Sequence, residues 1–242
     1  MSNIPLQEKL IVALDAPTLE MAEKWLSELK GVVHYYKVGL ELFTAHSWKA
    51  VNLVKNFGGK VFLDLKLHDI PNTVSRTLAA VCEHEVDMVN VHALGGFEMM
   101  KAARQSVEQY SAGKTKRPQL IAVTILTSHS QDTLKKELCI RRKVRDEVLH
   151  LADLARKAGL DGVVCSPQET PWVRKKCGKD FSIITPGVRP AGAEVGDQKR
   201  IETPEKAILN GSDHIVVGRP VTQAKNPRDA AMKILDAIAK VF

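Results

Sequence analysis

Between Lys60 and Thr73 the chain reads Lys-Val-Phe-Leu-Asp-Leu-Lys-Leu-His-Asp-Ile-Pro-Asn-Thr, an apolar run with charge set into it. Side chains of an extended chain alternate in direction. Val61, Leu63, Leu65 and Leu67 therefore share one face, and Phe62, Asp64, Lys66 and His68 share the other. If the aliphatic face packs on helices, Asp64 and Lys66 project together to the opposite side, about 6.6 Å apart along the strand. An isolated Asp-x-Lys is ordinarily a solvated surface pair. Here the flanking strands are apolar enough to be buried, and buried charges need partners or a purpose. An amine and a carboxylate so held are suited to fixing charge in place and to moving a proton. Asp69 follows, just before Ile70-Pro71, where proline ends strand pairing.

A second charge sits opposite an apolar face in Tyr35-Tyr36-Lys37-Val38-Gly39-Leu40, where Tyr36, Val38 and Leu40 share a side and Lys37 takes the other. The other strand-like runs are Leu10 to Asp15, Met88 to Ala93, Gln119 to Leu126, Gly162 to Ser166, Phe181 to Thr185 and His214 to Arg219. Helical patterns separate most of them. Leu19 to Leu29 follows a Thr18 cap and is closed by Gly31. Others run from about Thr73 to Glu83, after Gly95-Gly96, over Glu147 to Ala158, and from Pro227 to Lys240. Strand alternating with helix predicts a parallel sheet. Eight such units in 242 residues predict one (β/α)8 barrel domain spanning 1–242. A doubly wound open sheet is the alternative, but no Gly-x-Gly-x-x-Gly follows the first strand. Asp15, Lys37, Asp64, Lys66, Ser128, Arg189 and Arg219 fall at the C-terminal ends of these runs, the face on which barrel active sites form.

Two further stretches suggest phosphate. Val217-Gly218-Arg219 ends the eighth strand, where backbone N–H groups and an arginine can hold an anion. Arg189 to Lys199 is rich in Gly and Ala, as a closing lid would be. Each is weak alone; together on adjacent strands they favour function. The basic segment 129–146 reads as a solvated helical face, with no interleaved aromatic residue to stack on bases.

The chain carries 35 basic and 28 acidic residues, a net charge of +7, which suits a small phosphorylated substrate as well as nucleic acid. Cys82, Cys139, Cys165 and Cys177 lack paired spacing, so neither zinc nor a disulfide framework is signalled. The first residues lack the regions of a signal peptide, and no apolar run reaches membrane length, which makes the cytoplasm the expected compartment.

Asp15, Tyr-Lys-Val-Gly, Asp64-x-Lys66-x-x-Asp69-Ile-Pro-Asn-Thr, Leu-Thr-Ser, Thr-Pro-Gly-Val-Arg-Pro and Val-Gly-Arg-Pro together resemble the orotidine 5′-phosphate decarboxylase family, in its motif order and over almost the whole chain. Asp-x-Lys-x-x-Asp alone marks a wider group that includes magnesium-dependent sugar-phosphate enzymes. Those carry a metal-binding Glu where this chain has Lys37, and an ammonium is no ligand for a hard cation. The resemblance implies loss of CO2 from orotidine 5′-monophosphate to give uridine 5′-monophosphate, with no metal and no cofactor. It implies Lys66 as the group that stabilises and protonates the C6 carbanion, with Asp64 beside the substrate carboxylate and Lys37 and Asp69 completing the array. Asp15 and Lys37 are then expected at the ribose hydroxyls, and Thr127 and Ser128 at the pyrimidine edge. Gln198, Arg219 and the Gly218 backbone are expected to grip the phosphate with help from Arg189, and Pro186 is expected among the substrate-binding residues. A homodimer is implied, with Asp69 and Thr73 reaching the partner's site; nucleic acid and membrane are not expected partners. His68 and His92 face inward by alternation and read as core histidines. The competing readings are a magnesium-dependent aldolase or decarboxylase on the same barrel, and a nucleotide- or RNA-binding protein motivated by the basic segment.

Overall fold

The computed structural model describes residues 4–189 and 202–241. Its strands are β1 (Leu10–Ala13), β2 (Tyr35–Gly39), β3 (Lys60–Leu67), β4 (Met88–His92), β5 (Gln119–Val123), β6 (Gly162–Val164), β7 (Ser182–Thr185) and β8 (His214–Val217). Each pairs in parallel with the next and β8 returns to β1, so the sheet closes on itself as a (β/α)8 barrel and leaves no strand edge exposed. The helices are α1 (Leu6–Lys9), α2 (Leu19–Leu29), α3 (Leu40–His46), α4 (Trp48–Asn56), α5 (Pro71–Glu83), α6 (Gly96–Ser111), α7 (Val144–Lys157), α8 (Thr170–Cys177), α9 (Pro204–Leu209), α10 (Arg219–Thr222) and α11 (Pro227–Ala239).

Alternation along the strands divides the core in two. Leu10 and Val12 of β1, Tyr36 and Val38 of β2 and Val61 and Leu63 of β3 face the helices. Ile11, Tyr35, Phe62, Met88, Ile121, Ile184 and Val216 face one another inside the barrel and fill it. The interior below the mouth is therefore packed, and a ligand can enter only from an end. α2 lies where its periodicity placed it, with Thr18 Oγ1 accepting the Met21 N–H at 3.3 Å and Ala22, Leu26 and Leu29 buried.

The N-terminal ends of the strands carry a repeated device. Asp87, Asp161 and Asp213 precede β4, β6 and β8, and each carboxylate accepts an N–H from the neighbouring strand: Val61 at 2.8 Å, Leu120 at 2.8 Å and Ile183 at 2.9 Å. Arginines close two of them, Arg104 and Arg117 on Asp161 and Arg174 on Asp213. These groups lie at the end of the barrel opposite the charges that the sequence placed at the strands' C-termini.

Several boundaries differ from the expectation. Leu40 is not in β2; it opens α3 and is 55% exposed, because the strand ends at Gly39. The α3–α4 pair between β2 and β3 was not resolved by periodicity, and Ser47, at φ 54°, breaks it. α5 starts at Pro71 rather than Thr73, since proline's fixed φ suits the first helical position. β5, β6 and β8 stop before the apolar runs do. The segment 129–146 is not a regular helical face: it makes one π-helical turn, Thr133–Glu137, over the buried Leu134, and α7 begins only at Val144. Some of its charge is locally engaged, Lys136 on Asp132, Arg142 on the buried Glu147 and Arg145 over the Trp172 ring.

Candidate active site

At the C-terminal mouth Asp15, Lys37, Asp64, Lys66, Thr127, Ser128, Pro186, Arg189, Gly218 and Arg219 line one cavity of about 290 Å³. That volume suits a small molecule rather than a polymer. Its floor is the apolar top of the barrel interior, Ala13, Phe62, Val123, Val164 and Val216. The strands explain the convergence. Lys37, Asp64 and Lys66 have inward parity on β2 and β3; in register Lys37 pairs with Phe62 and Gly39 with Asp64, so the long Lys37 side chain rises over Gly39 to reach the level of Asp64.

Charges of opposite sign alternate across the mouth. Lys66 Nζ donates to Asp64 Oδ1 at 2.7 Å, Lys37 Nζ lies 3.4 Å from Asp64 Oδ2, and Lys37 Nζ donates to Asp15 Oδ1 at 2.9 Å. Asn90 Nδ2 donates to Asp64 Oδ1 at 2.7 Å. Burial by itself would raise the Asp64 carboxyl, but Lys37, Lys66 and the Asn90 amide outweigh it and hold the acid below its ordinary value. Burial would likewise depress Lys37, and Asp64 and Asp15 more than offset it, so the amine stays above its ordinary value. Both directions agree: the pair is ionised and each partner keeps the other so. The Lys66 side chain is 31% exposed against 11% for Lys37. Lys66 is thus the amine open to a ligand, and Lys37 is the one locked between two acids.

Not every expected residue arrives here. Asp69 is exposed on the loop before α5, accepts the Ile70 N–H at 2.6 Å and does not line the cavity. Thr73, in the first turn of α5, is exposed as well and does not line the cavity. Gln198 and the rest of the lid after Arg189 lie outside the described residues. His68 is corrected: it is exposed rather than in the core, because β3 ends at Leu67, and it stacks on His92 with ring centroids 5.4 Å apart. Burial first, then His68, Lys66 and His129, push His92 down to about 4. Asn90 was passed over, although one Asn at inward parity within Met88-Val89-Asn90-Val91 was a readable signal. Among the described residues no three of His, Cys, Asp and Glu are grouped as a metal site would need. No helix among them is long and apolar enough to cross a membrane.

A closed (β/α)8 barrel with a charge-lined cavity at the C-terminal ends of its strands defines the class: this is a (β/α)8 barrel protein with a candidate site at its mouth. The comparisons give the family. Residues 8–234 match the model of the orotidine 5′-phosphate decarboxylase / HUMPS family, and the chain belongs to that family. Relatives named orotidine 5′-phosphate decarboxylase include one from Syntrophotalea carbinolica, 49% identical over 96% of each chain. Another, from Moorella thermoacetica, is 48% identical over 97% of this chain and 94% of its own. The crystal structure of orotidine 5′-phosphate decarboxylase from Lactobacillus acidophilus superposes with a TM-score of 0.84 at 39% identity, covering 96% of this chain and 99% of that one.

Proposed function

We propose that this chain decarboxylates orotidine 5′-monophosphate to uridine 5′-monophosphate, and that Lys66 is the residue that captures the electron pair CO2 leaves behind. The observation that carries this is the fixed row Asp15, Lys37, Asp64, Lys66, in which every ion has an opposite neighbour and only Lys66 of the two amines is appreciably open. Cleavage of the C6–carboxylate bond leaves a pair in an sp2 orbital that the pyrimidine ring cannot delocalise. Stabilisation has to come from charge already in place, which needs no reorganisation during the reaction. Lys66 Nζ then delivers its proton to C6, and the resulting neutral amine is reprotonated from water. Asp64 lies beside the departing carboxylate. Relief of that repulsion adds to the rate, but stabilisation by Lys66 is the larger effect.

Asp15 is half exposed and retains acceptor capacity beyond Lys37, which suits the ribose hydroxyls. Thr127 and Ser128 border the pyrimidine, with Arg189, Gln198, Gly218 and Arg219 at the phosphate. Binding energy from that unreactive phosphate is available to position the ring. Lys37 favours the cofactor-independent branch over a magnesium-dependent one: its ammonium occupies the space between Asp15 and Asp64, where a hard cation would meet a like charge. Asp69 and Thr73 complete a neighbouring site in a homodimer working in the cytoplasm, and the 1–242 chain acts as one domain.

The test is turnover of orotidine 5′-monophosphate after chelator treatment, read by the change in pyrimidine absorbance. Absence of turnover, or turnover only on adding magnesium, ends the proposal. Lys66→Ala should fold and lose at least about 10³-fold in kcat. Mixing Lys66→Ala with Asp69→Ala should restore about a quarter of wild-type activity through hybrid dimers if the site is shared, and none if it is not.

A further inference from the structure

β3 is not a regular strand where its charges sit. Leu63 pairs with Val89 and Leu67 with Val91, so Asp64, Leu65 and Lys66 lie opposite the single residue Asn90. Such an excess frees backbone groups that the ladder would otherwise pair. Lys66 also has φ 51°, in the left-handed region that a residue with a Cβ enters only under strain. A strained conformation of this kind persists only when its surroundings over-determine it.

Resting on the reading of the site given above, we propose that Asn90 is a positioning residue for the decarboxylation, holding Lys66 in its left-handed turn and Asp64 at its side. Asn90 is fully buried. Its Oδ1 accepts the Lys66 backbone N–H at 2.7 Å, and its Nδ2 donates to Asp64 Oδ1 at 2.7 Å. The same Asp64 oxygen accepts from Lys66 Nζ at 2.7 Å. One carboxamide therefore stands in for the missing ladder bond and ties the backbone of one ion to the carboxylate of the other. The orientation of the amide is forced. Reversed, it would set NH2 against N–H and oxygen against carboxylate. Only a short side chain with a donor and an acceptor on one plane does both: an ionised Asp cannot donate, and an aliphatic residue does neither.

Without this grip β3 is free to relax toward a regular extended path, which turns the Lys66 Cα–Cβ direction. Misplacement of a reacting group by about 1 Å costs on the order of 10²-fold in rate. Asn90→Ala is therefore expected to lower kcat by about 10²-fold while KM for orotidine 5′-monophosphate stays within about three-fold. Affinity for 6-hydroxyuridine 5′-monophosphate, which presents an oxyanion near Lys66, should fall with kcat, and affinity for uridine 5′-monophosphate should not. Asn90→Asp, an isostere, keeps the acceptor for Lys66 N–H but sets a second carboxylate against Asp64. Lys37 from β2, itself paired with Asp15 after β1, and Lys66 remain on Asp64, while His92 of β4 faces Lys66, His68 and His129. Like-charge repulsion should then move the acid limb of the kcat profile to higher pH.

A kcat for Asn90→Ala within three-fold of wild type overturns the proposal, as does an equal loss of both nucleotide affinities, which would mean general damage. If Asn90→Ala does not fold, Asn90→Asp decides: an unmoved acid limb is the overturning result. A wild type that does not turn over orotidine 5′-monophosphate defeats the functional reading instead. The positional claim is then settled by the crystal structure of an Asn90 variant, in which Lys66 is expected at negative φ and retention near its present value refutes it.

Discussion

Gly39 closes β2 at φ −98°, a conformation open to any residue, so its smallness answers to space rather than to backbone freedom. A Cβ there would lie 2.6 Å from Lys37 Nζ and 3.1 Å from Asp15 Oδ1. The locked ammonium occupies the room a side chain would take. Because Lys37 Nζ is the end of a flexible chain, Gly39→Ala should cost the fold no more than about 1 kcal/mol. It should nevertheless displace the ammonium from between its acids and lower kcat by at least about 10-fold. Comparing kcat with the melting temperature of the variant checks this; equal retention of both would mean the Lys37 position is not critical. At this scale Lys37, Asp64 and Lys66 were legible because parity alone sends them inward. The same parity turns Asn90 inward, but what it does there depends on a register that no single strand reveals, and His68 is exposed because alternation does not extend past the end of β3.

For the strands, β3 shows why the alternation survived an irregular register. Its excess over β4 is an even number of residues, so Leu65 and Leu67 still turn to the helices and Lys66 still turns to the mouth. An odd insertion would have inverted everything after it. The opposite ends of the strands depend on Asp87, Asp161 and Asp213, whose carboxylates bind adjacent strands together. Burial would raise the Asp161 carboxyl, but Arg117, the Leu120 N–H and Arg104 hold it below its ordinary value. Asp161→Ala would leave Arg117 and the Leu120 N–H without this partner and should destabilise by about 2–4 kcal/mol. Urea unfolding gives that figure. Residual kcat of the folded fraction should be unchanged, as the site is at the other end of the barrel, and a large fall in kcat would contradict this separation of stability from chemistry.

Across the whole molecule, acid should weaken the fold before it neutralises the array. Burial, followed by neighbouring charges, takes His92 down to about 4 from an ordinary 6.5, and burial lowers His214 too. Between those values the unfolded chain binds protons that the folded chain refuses, so stability falls as pH drops through that window. Asp64 and Asp161 act in the same sense lower down: their contributions are complete above the ordinary carboxylate value and are lost as pH falls through their depressed folded values. Urea unfolding at pH 7 and pH 5 should differ by about 1–2 kcal/mol through His92, and His92→Gln should remove that part of the difference. An unchanged slope in the variant would show that His92 is not the sensor. The eight-unit order and the charged inner faces were determined by sequence, because alternation and helical periodicity are local properties of the chain. Closure of β8 on β1, the meeting of charges from β1, β2 and β3 at ion-pair distance, and the Asn90 grip on a left-handed lysine were decided by tertiary structure. Each of these depends on which residue of one strand stands opposite which residue of another, and that is fixed only when the sheet closes.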